Sequence, residues 1–299
     1  MRGSDIARLV LLAAIWGASF MFMRTLAPVL GPVLTANSRV MIAGVALVVW
    51  FRITGFDAGL RRHWRQFVVI GVLNSALPFL LFAFAAVHLP ASYSAILNAA
   101  APLFSVLLSA LWLNERLTAP RIAGLAAGVA GVALVTRAGP VVPDAQFGWA
   151  IAACLTGAFC YALAGIYIKR RAAGVKPMAI AGWSQIFAAV ALLPLTPFAP
   201  APGVVSGAVV ANVLGLALLC SAVAYLLYYR LIADLGPSRA MSVTFLIPVF
   251  GMAWSVLLLD ETITLPMLAG CALIVGGTLL VVRPARPAAS AAGAAADKA

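Results

Sequence analysis

The chain has 299 residues, of which 64% are hydrophobic and only 9% charged, with a mean hydropathy of +1.08. A soluble domain is about half apolar and about a quarter charged, so this composition excludes a water-facing globule and makes lipid the solvent. The net charge of +12 does not indicate nucleic acid, because the basic residues sit in loops between apolar runs, where they set topology.

In chain order, apolar runs of about 20 residues, each enough to cross ~30 Å of hydrocarbon, follow one another. The first is Ile6 to Ala27, read as a retained span and not a signal peptide because no polar domain follows it. Pro28, Gly31 and Pro32 turn the chain into the second, Val33 to Thr54, which carries Arg39 inside it. After a basic loop from Arg52 to Arg65 come Gln66 to Val87, then Ala91 to Leu113, closed by Asn114-Glu115-Arg116, then Arg121 to Arg137. Residues 139–146 form a Pro-containing connector. The remaining spans are Phe147 to Ile168, Pro177 to Phe198, Ala208 to Ile232, Ser238 to Leu259 and Leu265 to Val282. Residues 284–299 are Ala-rich and expected to be a disordered tail. Cys154, Cys160, Cys220 and Cys271 all lie in apolar runs and read as packing residues, with no metal or cofactor implied.

The chain repeats itself. Ser92 to Arg137 recurs without a gap as Ser238 to Arg283, a shift of 146 positions that carries Pro102 onto Pro248, Glu115 onto Glu261, Gly124 onto Gly270 and Gly131 onto Gly277. So long a period means a duplicated half-protein, residues 1–138 and 147–283, and not a stacked array. Five spans per half is odd, so the halves enter the bilayer from opposite sides. The expected fold is all-α: ten transmembrane helices as two inverted five-helix repeats around a central cavity. Loop charge agrees. With the N-terminus inside, Arg2, Arg8, the Arg52–Arg65 group, Arg116, Arg121, Lys169–Arg171, Lys176, Arg230, Arg239, Arg283, Arg286 and Lys298 all fall inside, and only Arg24 and Arg137 at outer ends.

At this point the residues carry a family resemblance. W-G-A-S-F at Trp16–Phe20, P-V-L-T-A-N-S-R at Pro32–Arg39, and A-x-x-P-L-F with L-x-E-R-L-T between Ala99 and Gly124, matched again at Ile247–Gly270, resemble an EamA-type domain. Over residues 6–283 the chain is similar to the ten-span bacterial exporters of the drug/metabolite transporter superfamily, with YddG-like amino-acid exporters as the nearest subtype. The resemblance implies a basket of helices around a cavity, cytoplasmic termini, a bacterial inner-membrane location and outward passage of small metabolites, amino acids first.

Several residues are candidates for the work. Pro102 and Pro248 sit near mid-span and free the carbonyls of Asn98 and Thr244, which must then face protein or a wet cavity, so they read as kinks for gating. Arg39, ~9 Å deep at helical rise, is suited to a substrate carboxylate, against the alternative of snorkelling or capping a carbonyl. Gln185 is its repeat equivalent. Trp16, Asn37, Asn74, Phe79, Tyr161, Trp183, Tyr225 and Tyr228 complete an aromatic and amide wall suited to an amphipathic metabolite, although ordinary helix packing explains any one of them. Glu115 and Glu261 end their spans and read as helix-end contacts, not proton carriers. The glycines of the fifth and tenth spans are expected to pack against each other, with a dimer contact as the alternative.

Competing functions are drug or other metabolite efflux, a membrane scaffold or channel, and an intramembrane enzyme. An enzyme lacks its parts: there is no H-E-x-x-H, no G-x-S-x-G with a partner histidine, and His63 and His88 lie in loops. A sugar nucleotide or lipid would call for more cationic groups in the spans than a lone Arg39. The expected partners are a small-molecule substrate and the bilayer, with the chain a monomer or, alternatively, a dimer.

Overall fold

A computed structural model describes residues 3–141 and 144–282, so the C-terminal tail lies outside the described residues. Those residues form helices and no strands. The long helices are α1 (Gly3–Ile53), α2 (Leu60–His88), α3 (Ala91–Trp112), α4 (Ala119–Ala138), α5 (Ala145–Arg171), α6 (Pro177–Phe198), α7 (Gly207–Leu235), α8 (Val243–Leu259) and α9 (Leu265–Val282), with one turn of helix at Pro237–Ala240 between α7 and α8. Eight of them are long and apolar enough to cross a membrane, while α8 has 17 residues.

Helix α1 has 51 residues, roughly 75 Å if straight, more than twice a hydrocarbon core. It does not run straight. Gly31, between Pro28 and Pro32, has φ 78° and ψ 161°, a conformation that costs a side chain too much and that glycine adopts freely. The break yields two arms, each longer than the about 20 residues a crossing needs.

Contacts between helix ends fall into two sets. At one end, Arg8 pairs with Asp234 at 2.8 Å, Lys169 with Glu115 at 3.0 Å, and Lys176 donates to the Asp57 carbonyl at 2.9 Å. At the other, Gly203 N–H donates to the Val29 carbonyl at 2.9 Å, Arg24 donates to the carbonyls of Ala86 and Val87, and Glu261 reaches the start of α3. The Glu261 carboxylate accepts from the amides of Ala91 (2.6 Å) and Ser92 (3.1 Å) and from the Ser92 hydroxyl (2.8 Å). It thereby supplies the cap that a helix start following Pro90 lacks.

Close backbone approach sets the packing. A Cβ on Gly124 would lie 2.5 Å from the Gly277 carbonyl oxygen, and one on Gly131 2.6 Å from that of Gly270. The glycines of α4 and α9 therefore face each other within one chain, as the sequence reading expected. The first arm of α1 lies equally close to α8 at Gly17 and Gly251, where Trp254 Nε1 also donates to the Ala14 carbonyl at 2.9 Å. The second arm packs on α6 through Gly44 against Ile186.

The two prolines act differently. Before Pro102, α3 tightens at Ala99 and Ala100, whose amides bond three residues back, and the Ala99 carbonyl accepts from Thr278 Oγ1 at 3.1 Å. Thr278 thus satisfies a carbonyl that the proline break exposes. Pro248 lies inside α8, after a turn at Met241–Ser242 that corresponds under the repeat to Ala95–Ile96, not to Ala99–Ala100. Pro102 is half-buried and Pro248 buried.

Candidate functional site

Arg39 lies in the second arm of α1 and is 5% exposed. Asp5 and Arg39 are the only buried charged side chains among the described residues, and Asp5 stands at the start of α1 beside Arg8. Arg39 Nε donates to Ser221 Oγ at 2.9 Å, Nη1 approaches Met23 Sδ at 3.8 Å, and the guanidinium lies 3.7 Å above the Phe79 ring centre. Tyr161 and Tyr225 are also near it. No carboxylate pairs with it among the described residues. The ring face compensates a desolvated cation in part. A neutral hydroxyl and a thioether leave most of the five guanidinium donors open.

The helices that bring these groups together are locally widened. The α-helical turn relaxes to a wider π-type turn at Val72–Ala76 in α2 and at Gly215–Val223 in α7. The 146-residue shift carries the first of these into the second, and takes Ser75 onto Ser221 and Phe79 onto Tyr225. Such turns re-aim side chains and recur at functional sites. Here they present Ser221 to Arg39 and place Asn74 and Ser75 beside Tyr225.

Around this point the aromatic residues join up. Trp16 packs on Tyr225 and Tyr228 with ring centres 6.4 and 5.2 Å apart, Tyr225 stacks on Tyr229, and Tyr161 stacks on Phe82. Gln185 of α6 is wholly buried, and neither its Nε2 nor its Oε1 has a hydrogen-bond partner. Asn37 is spent on packing, donating to the Ala189 carbonyl at 3.3 Å. Three candidates lie apart from Arg39. Trp183 lines a groove of about 470 Å³ with Phe51, Arg52 and Arg62. Asn98 is half-buried at the break in α3, and Thr244, half-buried, donates to the Met241 carbonyl at 2.8 Å.

Sequence reasoning missed Ser221, Met23 and Tyr229. Ser221 had a signal, because it is the repeat partner of Ser75. Met23 had none, since a methionine in an apolar run looks like any other core residue.

Glu115 is held by Lys169 at 3.0 Å and by Arg121 at 3.3 Å, at the end where Arg8 pairs with Asp234, a basic end. The Lys169 hydrogen bond, the largest effect, holds its carboxyl below the ordinary 4.5; burial, next in size, opposes it, and the charges of Lys169 and Arg121 add to the lowering. Both repeat-equivalent glutamates are thus contacts at helix ends, and none of the described carboxylates forms an ion pair with Arg39.

A bundle of apolar helices with a buried, unmatched cation walled by aromatic rings is the build of a multi-pass membrane transporter. The chain belongs to the EamA-like transporter family, which matches residues 6–137 and again 148–283. It is similar to a probable terminal-alkyne amino-acid exporter of Streptantibioticus cattleyicolor, 29% identical over 92% of both chains. It is also similar to a probable amino-acid metabolite efflux pump of Escherichia coli, 25% identical over 94% of this chain and 96% of the relative. A solved crystal structure shares the fold with a TM-score of 0.64 at 22% identity, covering 94% of this chain and 96% of that one.

Proposed function

We propose that this protein exports small carboxylate-bearing metabolites, amino acids and their derivatives first among them, across a bacterial inner membrane by alternating access. The observation that carries this is Arg39, a buried cation with neutral partners only, set among aromatic rings. An intramembrane arginine is costly unless something pairs with it, and a substrate carboxylate supplies both charge and bidentate acceptors. The names of the two exporter relatives support the substrate class.

In this reading the protein has ten spans, the two arms of α1 and α2 to α9, arranged as two inverted repeats. The two sets of end contacts support that count. The basic end is cytoplasmic, by the positive-inside rule, and holds both termini. Trp16, Phe79, Tyr161, Tyr225 and Tyr228 wall the binding region, and Pro102 and Pro248 are the bending points. The chain works as a monomer, because α4 and α9 already cover each other's glycine faces.

Alternating access gains support from an asymmetry between equivalent segments. Residues 91–97 are buried throughout and held by Glu261. In the repeat-related stretch, Arg239 is exposed and Met241 is 47% exposed, where their counterparts Tyr93 and Ala95 are fully buried. One end is sealed where its twin is open, which suits a carrier resting with its cytoplasmic side open.

The test is efflux from cells preloaded with labelled amino acids, amino-acid derivatives and cationic drugs, with and without the protein. Selective loss of carboxylate-bearing compounds is expected. Efflux of drugs alone would refute the substrate class, and no efflux of anything would refute export.

A further inference from the structure

Arg39 and Gln185 occupy equivalent places in the two repeats, and both are buried with few partners or none: Arg39 meets the Ser221 hydroxyl and the Met23 thioether, and neither amide atom of Gln185 has a hydrogen-bond partner. They also share surroundings. Gln185 lies on the α6 stripe that includes Ala181, Ala188 and Ala189, at the spacing of one helix face. Ala181 packs in the cluster that holds Tyr225, and Ala188 and Ala189 pack in the cluster that holds Phe79 and Tyr161. Those three aromatics are the ones around Arg39. Gln185 is therefore bracketed by the same walls as the guanidinium.

The chemistry of this pair selects among carboxylates. A free amino acid is a zwitterion. Its carboxylate matches Arg39, yet its ammonium then enters a buried region that already holds a cation and no acid. The complex keeps a net positive charge out of water, which is unfavourable. An ammonium also has three donors and no acceptor, so it satisfies Gln185 Oε1 and leaves Nε2 unmatched. A monoanion neutralises Arg39. A secondary amide beside its carboxylate offers one donor and one acceptor, the complement of a glutamine side chain.

We infer that the Arg39–Gln185 pair selects monoanionic carboxylates carrying a neutral amide-like group, as an N-acyl amino acid does, over free zwitterionic amino acids. The inference rests on the proposal that the Arg39 region is the transport site, and it narrows the substrate. Arg39 holds the carboxylate, Gln185 the amide, and the aromatic walls an apolar side chain.

The experiment uses the purified full chain in liposomes preloaded with labelled N-acetyl-L-leucine, L-leucine or L-leucinamide. N-acetyl-L-leucine is expected to leave about tenfold faster than L-leucine, the effect of one matched polar group, and L-leucinamide not at all. Gln185→Leu should bring N-acetyl-L-leucine down to the L-leucine rate. Gln185→Glu places a carboxylate within the same aromatic walls as Arg39 and should reverse the order in favour of L-leucine, a gain that misfolding does not produce. If the native protein moves L-leucine as fast as or faster than its N-acetyl form, the inference is overturned and amino-acid export stands. If neither carboxylate moves, the transport reading falls with it. An unchanged ranking in both Gln185 variants removes Gln185 from the selection.

Discussion

Removing the Glu261 carboxylate should cost far more than removing that of Glu115, although the repeat places the two residues at the same position. Glu261 closes the start of α3 with three hydrogen bonds of 2.6, 3.1 and 2.8 Å, two of them to backbone amides that the helix cannot satisfy itself. Losing a cap costs about 1 kcal/mol, and losing a negative charge at a helix start costs up to about 1 more, so Glu261→Ala should destabilise by about 2 kcal/mol. Glu115 makes ion pairs at 3.0 and 3.3 Å with side chains that reach water, Lys169 being 61% exposed. Such pairs contribute about 0–1 kcal/mol. Thermal unfolding of the detergent-purified variants, followed by tryptophan fluorescence, should show a clear fall in midpoint for Glu261→Ala and little change for Glu115→Ala. Glu261→Gln should lie between, because it keeps one acceptor and loses the charge. Equal shifts for the two alanine variants would refute the argument that Glu261 holds α3.

The pH dependence of Glu115 has a definite sign. Its folded carboxyl titrates below the ordinary 4.5, so its contribution is present above that value and is lost as pH falls through the lower, folded one. The wild-type protein should therefore lose slightly more stability than Glu115→Gln on acidification from about pH 5, most visibly at low salt; an identical slope would count against the Lys169 pairing. At the α4–α9 contact, Gly131→Leu should destabilise by about 3 kcal/mol or more, because the new side chain meets the Gly270 backbone. Gly148→Leu, where a Cβ meets nothing within 4 Å, should be tolerated, and the pair of melting curves checks both.

What the sequence made legible was what periodic chemistry controls. Span positions follow from apolar runs, and the α4–α9 contact follows from glycines spaced along one face. The roles of Glu115 and Glu261 follow from their place at span ends. Distances between spans are another matter. Nothing local says that Ser221 meets Arg39 at 2.9 Å, because that contact depends on the widened turn in α7 and on which faces the helices turn to each other. Trp183 illustrates the same limit: it lies only two residues from Gln185, but its indole lines the groove beside Arg52. The break before Pro102 was legible, while its satisfaction by Thr278 from α9 was not. The asymmetry between residues 91–97 and their twins was hidden for a deeper reason. Under the proposed alternating access, a duplicated sequence would encode both states, and a single structure holds one of them.

The central claim is that Arg39 receives the substrate carboxylate. The most direct measurement is efflux from liposomes containing wild-type protein or Arg39→Gln, comparing N-acetyl-L-leucine with its uncharged carboxamide, N-acetyl-L-leucinamide. Truncating one partner of a buried, hydrogen-bonded ion pair costs about 2–5 kcal/mol, so carboxylate efflux at subsaturating substrate should fall by roughly 30-fold or more. Carboxamide efflux should stay the same or rise. Equal losses for both compounds, or undiminished carboxylate efflux from Arg39→Gln, would contradict the claim.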